Sequence, residues 1–184
     1  MISTLHSTSH LDLVKDGRWV FARRPNASAV VGIVAVTPDG KLLLVEQHRI
    51  PVQAAVIELP AGLVGDEQAN ESLETAAARE LEEETGWRPD TCQLLSCGPS
   101  SAGMTNEVVT LIRAHGLTQV STGGGVAGEN ITVHNVPLVG VAAWLAARAK
   151  QGLLIDHKIY AALWWLDQED ASHQHGVPHV PFSS

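Results

Sequence analysis

Apolar residues occur in short runs separated by turn residues, which predicts strands for most of this chain. Residues 29–36 and 42–45 are two such runs. The turn Thr37-Pro38-Asp39-Gly40 between them predicts a hairpin, because Pro presets φ and Gly accepts a positive φ. Further strands are predicted at residues 19–22, 56–59, 93–97, 107–114 and 131–137.

Helical periodicity appears in the middle of the chain and again near its end. Residues 139–150 and 157–168 are predicted helices. A third helix is indicated by apolar residues at i, i+4 and i+8, with Asn70 or Ser72 as its N-cap and Gly86 just past its end. Its apolar stripe is Leu73, Ala77 and Leu81. Strands mixed with a few helices indicate an α/β sandwich with a mixed sheet.

An acidic run lies beside that apolar stripe. On a helix, Glu80, Glu83 and Glu84 stand at i, i+3 and i+4 and crowd one face. Like charges at this spacing weaken a helix by roughly a few tenths of a kcal/mol per pair. A hard divalent cation removes the conflict, because Mg²⁺ prefers oxygen ligands and often binds carboxylates together with phosphates. The alternative is a solvated acidic face, which is what most charge runs are.

The residues around the run carry a longer pattern. Reading outward gives Gly65, five residues, Glu71, seven residues, and then Arg79-Glu80-Leu81-x-Glu83-Glu84-x-Gly86-Trp87. This string resembles the Nudix box at every fixed position. The chain is therefore identified as a member of the Nudix hydrolase family, and the resemblance implies a Nudix-type α/β/α sandwich.

Other segments resemble the ADP-ribose pyrophosphatase and nucleoside-diphosphate-sugar hydrolase branch of that family. They are Glu46-Gln47-His48-Arg49, Glu58-Leu59-Pro60-Ala61-Gly62, residues 100–107, residues 129–134 and residues 152–158. In this branch the box glycine directly follows a Pro-Ala pair, which here makes it Gly62, nine residues before Glu71. We therefore expect a three-residue insertion within residues 64–70, with Gly65 meeting the box spacing by coincidence.

The resemblance also implies roles for individual residues. The metal ligands would be Glu80, Glu83, Glu84 and the backbone carbonyl of Ala61, with Glu83 also counted as catalytic. The box would be held together by Glu71, Arg79, Gly62, Gly65 and Gly86. The base that takes the proton from water would be Glu129, the only acid between Gly123 and Asn130. The alternative for Glu129 is a chance acid on a surface loop.

Candidate substrate-binding residues are Arg49, Glu58, Arg24, Trp19 and Glu107. Guanidinium groups pair with phosphates, and Trp19 could stack a base. Three of them have an ordinary alternative: surface charge for Arg24, core packing for Trp19, and a strand-start Glu for Glu107.

The implied activity is Mg²⁺-dependent hydrolysis of ADP-ribose or a nucleoside diphosphate sugar to a nucleoside monophosphate and a sugar phosphate. Mn²⁺ suits the same oxygen ligands. The alternatives are a Nudix hydrolase of nucleoside triphosphates or dinucleoside polyphosphates and, less in keeping with the intact box, a non-catalytic nucleotide-binding regulator. Branch members are usually homodimers that exchange N-terminal strands, so a homodimer is expected.

Length, charge and cysteine content narrow the choices of domain organisation, partner and location. With 184 residues, we expect one domain over 1–184, with an N-terminal extension at 1–18 and a flexible tail at 169–184. A net charge of −8 without a basic patch argues against a nucleic-acid partner. No signal peptide or membrane-spanning apolar run is evident, so a cytoplasmic location is expected. Cys92 and Cys97 match no metal or disulfide pattern and are interpreted as ordinary thiols.

Overall fold

Four sheets and three α-helices make up the computed structural model of the chain, which describes residues 2–66, 70–125 and 130–175. A 3₁₀ turn at Ile50–Val52 follows the fifth strand. The helices are α1 Leu73–Thr85, α2 Val141–Lys150 and α3 Lys158–His175. The strands are β1 Ser3–Ser7, β2 Asp12–Asp16, β3 Trp19–Arg23, β4 Ala29–Ala35, β5 Lys41–Arg49, β6 Ala54–Glu58, β7 Ala61–Val64, β8 Trp87–Arg88, β9 Thr91–Pro99, β10 Val108–His115, β11 Thr118–Gln119, β12 Thr132–Pro137 and β13 Leu154–Ile155.

Two four-stranded sheets form the middle layer, with strand orders β7-β4-β10-β9 and β12-β5-β6-β13. Successive residues of a strand face opposite sides of the sheet, so one strand can supply side chains to the hydrophobic core on each side. On β5, Leu42 and Leu44 pack with α2 and α3, whereas Leu43 packs with α1. On β10, Leu111 packs with α2 and α3, and Ile112 packs with α1. The helices thus cover both faces of the sheets, and the expected α/β/α sandwich with mixed sheets is confirmed.

The predicted hairpin between residues 29–36 and 42–45 is only partly formed. Its turn exists, since the Thr37 N–H donates to the Lys41 carbonyl at 2.8 Å, but pairing stops after Val36 and Leu42. Beyond that point β4 and β5 join different sheets. There β4 pairs with β7 and β10, and β5 pairs with β12 and β6, instead of with each other.

The N-terminal residues form a sheet of their own, with the order β1-β2-β3. Sequence analysis predicted β3 but placed no strand in residues 1–18, where the structure has β1 and β2. All side chains of β1 are exposed, so their polarity gives no alternation by which a strand could be predicted. The sheet is tied to the chain that follows by the Ala22 N–H, which donates to the Met104 carbonyl at 2.8 Å.

The last helix is longer than its pattern predicted. Helix α3 continues to His175, seven residues beyond the predicted end at Gln168. Arg113 on β10 holds this added part through an ion pair with Glu169 at 3.0 Å, a contact between segments far apart in sequence. Among the described residues, none of the helices combines the length and apolarity that a bilayer crossing requires. Cys92 and Cys97 are both free thiols.

Candidate active site

Helix α1 is fixed at both ends by local chemistry. Ser72 is the N-cap, since its side chain accepts a hydrogen bond from the Thr75 N–H at 3.1 Å. Gly86 ends the helix with φ of +76°, a left-handed conformation that glycine adopts without steric cost. Ala77 and Leu81 are fully buried and pack against the central strands. This packing orients the helix so that its acidic face meets β7.

Glu80 lies directly on strand β7 at Gly62. A Cβ atom at Gly62 would come within 1.9 Å of the Glu80 Cδ, so only glycine leaves room for this carboxylate. Burial raises the pKa of Glu80 to about 7, although the adjacent Arg79 guanidinium acts in the opposite direction. A buried carboxylate of this kind gains from a nearby positive charge.

Glu84 is the most enclosed of the three carboxylates, at 6% exposure. Its Oε2 accepts a hydrogen bond from the Ala61 N–H at 3.1 Å. The backbone of Ala61 therefore lies at the acidic face of α1, where the predicted ligand carbonyl belongs. The structure brings Ala61 and Gly62 together with Glu80 and Glu84, which lie about twenty residues later in the sequence.

Arg79 connects the acidic face to the loop before the helix. Its guanidinium donates to both carboxylate oxygens of Glu71, at 3.0 and 3.2 Å. It also contacts Glu80 at 2.9 Å and Glu83 at 3.4 Å. The side chain of Glu71 is 1% exposed, and its hydrogen bonds to Arg79 hold its pKa below the usual value. The same carboxylates raise the pKa of Arg79, so the pair stays ionised.

The two candidate box glycines have different contacts. Gly65 has φ of +84°, and its N–H donates to the Glu71 carboxylate. Gly62 instead admits the Glu80 side chain. Gly65 thus supports the buried Glu71–Arg79 pair, while Gly62 lies at the carboxylates. The expected insertion at 64–70 includes residues 67–69, which lie outside the described residues.

The donor atoms on this face suit a hard divalent cation. Carboxylates and a backbone carbonyl are oxygen ligands, which Mg²⁺ and Mn²⁺ prefer. Within the described ranges no three acidic, His or Cys side chains converge as a ready-made metal site, and Arg79 contacts Glu80 and Glu83 instead. The chemistry of the donors and the buried Glu80 carboxyl therefore fit a cation, provided that Glu80 and Glu83 turn away from Arg79.

Two further ion pairs join candidate substrate residues. Arg49 contacts Glu58 at 2.8 Å across the β5–β6 pair. Arg24 contacts Glu107 at 2.7 Å beside a cavity of about 180 Å³. Burial alone would raise the pKa of Glu107, but hydrogen bonds from Arg24 and Ser100 outweigh it and lower that pKa. Both arginines are already paired, so an arriving phosphate would compete with a carboxylate for each of them.

Trp19 lies on β3 and is 56% exposed, not buried in the core. With Phe21 it lines a cavity of about 270 Å³ between the N-terminal sheet and residues 102–106. An exposed indole at the mouth of a cavity is available for stacking. Glu129, the predicted base, lies outside the described residues, as do residues 126–128.

Sequence analysis missed the contact between α1 and the glycines after β11. The Gly124 N–H donates to the Glu84 carbonyl at 2.7 Å, and the Gly125 N–H donates to the Glu83 carbonyl at 3.0 Å. The only signal in the sequence is the run Gly123-Gly124-Gly125, since glycine allows close backbone approach. The structure places these glycines against the carboxylate-bearing turn.

Comparison with known proteins agrees with this geometry. Residues 27–123 match the NUDIX domain model, which is more than half of the chain. The chain belongs to the Nudix family. Its fold is similar to that of a crystal structure described as an ADP compounds hydrolase, with a TM-score of 0.69, 19% identity and coverage of 96% of this chain and 95% of that one.

Several proteins with different names are similar to this chain in sequence. A methanol dehydrogenase activator from Bacillus methanolicus is 29% identical over 81% of this chain and 76% of its own length. An ADP-ribose pyrophosphatase from Bacillus subtilis is 35% identical over 48% of this chain and 46% of its own length. A GDP-mannose pyrophosphatase from Yersinia enterocolitica is 32% identical over 68% and 69%, respectively. The similarity to the Bacillus subtilis enzyme thus spans less than half of either protein.

The buried Glu71–Arg79 pair yields a stability prediction. Replacing Glu71 by Gln leaves Arg79 partly buried without its main counter-charge, so the free energy of unfolding should fall by roughly 1–3 kcal/mol at pH 7. Because the folded-state pKa of Glu71 is lowered, its contribution is present above the unfolded-state pKa of about 4.3 and is lost as pH falls through the folded-state pKa. Urea unfolding of metal-free protein at pH 7 and at about pH 3 measures both effects.

The matched control is Glu74→Gln, which changes an exposed carboxylate in the first turn of the same helix. It should alter stability by no more than about 0.5 kcal/mol. Equal losses in the two variants, or a Glu71→Gln deficit that persists unchanged at low pH, would contradict the assigned role of the pair.

Proposed function

We propose that this chain is a metal-dependent pyrophosphohydrolase that cleaves ADP-ribose or a nucleoside diphosphate sugar into a nucleoside monophosphate and a sugar phosphate. The observation that carries the proposal is the placement of Glu80 and Glu84, with Glu83 beside them, against Ala61 and Gly62. Similarity to an ADP-ribose pyrophosphatase and a GDP-mannose pyrophosphatase supports the substrate class.

The residues that would hold Mg²⁺ or Mn²⁺ are Glu80, Glu83, Glu84 and the carbonyl of Ala61. When bound, the cation offsets the charge of the diphosphate and makes a bound water more acidic. Arg79 contacts Glu80 and Glu83 in this structure and would have to release both. Its two hydrogen bonds to Glu71 would keep it in place while it does so.

The reaction adds one water across the phosphoanhydride. The water oxygen forms a bond to one phosphorus, the bond from that phosphorus to the bridging oxygen breaks, and the bridging oxygen leaves on the other phosphate. A base must accept the water proton, and Glu129 is the proposed base. Gly125, whose N–H contacts the Glu83 carbonyl, precedes Glu129 by four residues. Four residues span at most about 14 Å, which supports a base near the carboxylates.

Substrate would be held outside the box by the charged pairs and the exposed indole. Arg49 and Arg24 are proposed to bind phosphate oxygens, with Glu58 and Glu107 keeping the guanidinium groups oriented. Trp19 is proposed to stack the base at its cavity beside residues 102–106.

The first experiment measures phosphate release in a phosphatase-coupled assay with Mg²⁺ and with EDTA. The substrates are ADP-ribose, GDP-mannose, UDP-glucose, a diadenosine polyphosphate and the nucleoside triphosphates. We expect metal-dependent cleavage of a diphosphate sugar to be fastest, and no turnover in EDTA. Faster cleavage of triphosphates or dinucleoside polyphosphates would keep the chemistry but reject the substrate class, and binding without turnover would indicate a regulator.

A matched pair of variants tests the carboxylate face in the same assay. Glu83→Gln should lower kcat by about 100-fold or more, since weakening even the support of a metal ligand costs about 10- to 100-fold. Glu82→Gln should leave kcat within about 2-fold, because Glu82 lies one residue away and pairs with Arg88 at the surface.

Glu129→Gln tests the proposed base. Loss of a general base typically costs about 10²- to 10⁴-fold, so kcat should fall by at least about 100-fold at saturating Mg²⁺ with little change in KM. The rate should also lose its dependence on a group that ionises at acidic pH. Near wild-type turnover at saturating Mg²⁺ would reject Glu129 as the base.

We propose that the chain forms a homodimer through an exposed apolar face of the N-terminal sheet. Leu13 on β2 and Val20 on β3 lie on one face, because Lys15 pairs with Val20 and Leu13 is two residues from Lys15. Both are exposed, Val20 at 46%, and Leu5 on β1 is a further exposed apolar residue of this sheet. Such a patch indicates an interaction surface, and a second copy of the chain is its proposed occupant.

Light scattering during size exclusion tests the dimer at micromolar concentration. The wild type should elute with twice the mass of 19.6 kDa, and Val20→Glu should elute as a monomer because it places a charge in the interface. Val139→Glu is the control, since Val139 is 96% exposed at a different surface and its variant should remain dimeric. A monomeric wild type would count against the proposal.

A further inference from the structure

The last turn of α1 is hydrogen-bonded to a segment some forty residues later in the chain. A helix leaves its final carbonyl groups without intrahelical partners. Here the Glu83 and Glu84 carbonyls accept the N–H groups of Gly125 and Gly124, at 3.0 and 2.7 Å. The Gly86 carbonyl accepts the Val120 and Ser121 N–H groups, at 2.8 and 3.1 Å. A helix end has four carbonyl groups without intrahelical partners, and two of those at the end of α1 belong to Glu83 and Glu84, which are proposed metal ligands.

The contact requires glycine on both sides. A Cβ atom at Gly86 would lie 2.3 Å from the Ser121 carbonyl oxygen, and a Cβ atom at Gly123 would lie 2.3 Å from the Thr85 carbonyl carbon. Both obstacles are backbone atoms, which cannot rotate away as a side chain can. Gly124 differs, because nothing lies within 4 Å of its Cβ position. The two backbones therefore touch at Gly86 and Gly123, and Gly124 only donates its N–H.

Glu84 is held from two directions by this arrangement. Its carboxylate accepts the Ala61 N–H from β7, and its backbone carbonyl accepts the Gly124 N–H. Any shift of the segment 120–125 relative to β7 would move Glu83 and Glu84. Metal sites lose affinity when ligands are displaced by fractions of an ångström, so the contact bears on ligand geometry.

We propose that Gly123, Gly124 and Gly125 are positioning residues that fix Glu83 and Glu84 for metal binding. The inference rests on the proposed function only in taking these carboxylates to be metal ligands. It assigns the glycines a fixed contact, in contrast to the freedom that three consecutive glycines suggest in the sequence. The glycines act through the helix backbone and touch neither metal nor substrate.

The decisive variant is Gly123→Ala, compared with Gly40→Ala. Gly40 has φ of +75° and Gly123 has φ of +65°, so alanine meets similar backbone strain at both positions. Gly123→Ala introduces a backbone collision, whereas nothing lies within 4 Å of the Cβ position of Gly40. In Mn²⁺ titrations followed by electron paramagnetic resonance, Gly123→Ala should weaken affinity by about 10-fold and Gly40→Ala by less than about 2-fold. Gly86→Ala, which disrupts the same contact from the helix side, should resemble Gly123→Ala.

Metal affinity separates positioning from simple destabilisation. Titrations are done well below the melting temperature of each variant, with circular dichroism to verify folding. A Gly123→Ala protein that melts earlier but binds Mn²⁺ as tightly as the wild type overturns the inference. So does a Gly40→Ala protein that loses as much affinity as Gly123→Ala.

Amide hydrogen exchange of the wild type decides the matter even if Gly123→Ala does not fold. The Gly124 and Gly125 amides should exchange at least about 100-fold more slowly than in an unstructured peptide. Coupling is reciprocal, so a contact that favours metal binding must be favoured by metal, and Mg²⁺ should slow both amides further. Rapid exchange, or no response to saturating Mg²⁺, overturns the inference.

The same data keep this inference distinct from the proposed function. A wild type that binds Mn²⁺ but hydrolyses no diphosphate rejects the proposed function, while the variant affinities still test the positioning role. A wild type that binds no Mn²⁺ overturns the positioning role directly.

Discussion

The acidic face of α1 depends on the ion pairs that the guanidinium of Arg79 forms. Three carboxylates within two helical turns repel one another, and Glu80 in addition is buried against Gly62. Arg79 contacts Glu80 and Glu83 and is itself held by Glu71, whose side chain is almost completely buried. A buried ion pair contributes little net stability unless its geometry is good and its hydrogen bonds are satisfied. Two hydrogen bonds to Glu71, supported by the Gly65 N–H, meet that condition.

Close backbone approach is the second constraint, and it operates at both ends of the acidic face. At one end Gly62 lets Glu80 lie on the edge strand β7, and at the other Gly86 and Gly123 let two backbones touch. A methyl group at any of these three positions would meet an atom within 2.3 Å or less. Helix α1 is thus clamped between β7 and the segment 120–125, with Glu84 bonded to both. A rigid frame of this kind suits carboxylates that are proposed to share one cation.

Prediction from the sequence succeeded where the evidence was local. The stop at Gly86 and the apolar stripe of α1 follow from spacing and side-chain chemistry within one segment. The sequence offered Asn70 or Ser72 as the N-cap, and the structure has Ser72 in that role. Prediction of the hairpin at Gly40 was correct for the turn and wrong for the strands, because β4 and β5 each take other partners. The added part of α3 contains Glu169, which pairs with the distant Arg113, and the fully exposed strand β1 has no buried alternation to reveal it. In β2 the buried positions are Asp12 and Val14, only one of which is apolar.

By itself, the sequence determined that this chain would carry three carboxylates on one face of a capped helix, since a 3.6-residue period and two capping residues are properties of neighbouring residues. It also determined the Nudix pattern and hence the family. Only the tertiary structure decided which glycine admits Glu80, that Arg24 meets Glu107, and that Gly124 and Gly125 bond the carboxylate turn. Each of these contacts joins residues far apart in the chain, and their meeting depends on which strand edges and helix ends remain open once the sheets have formed.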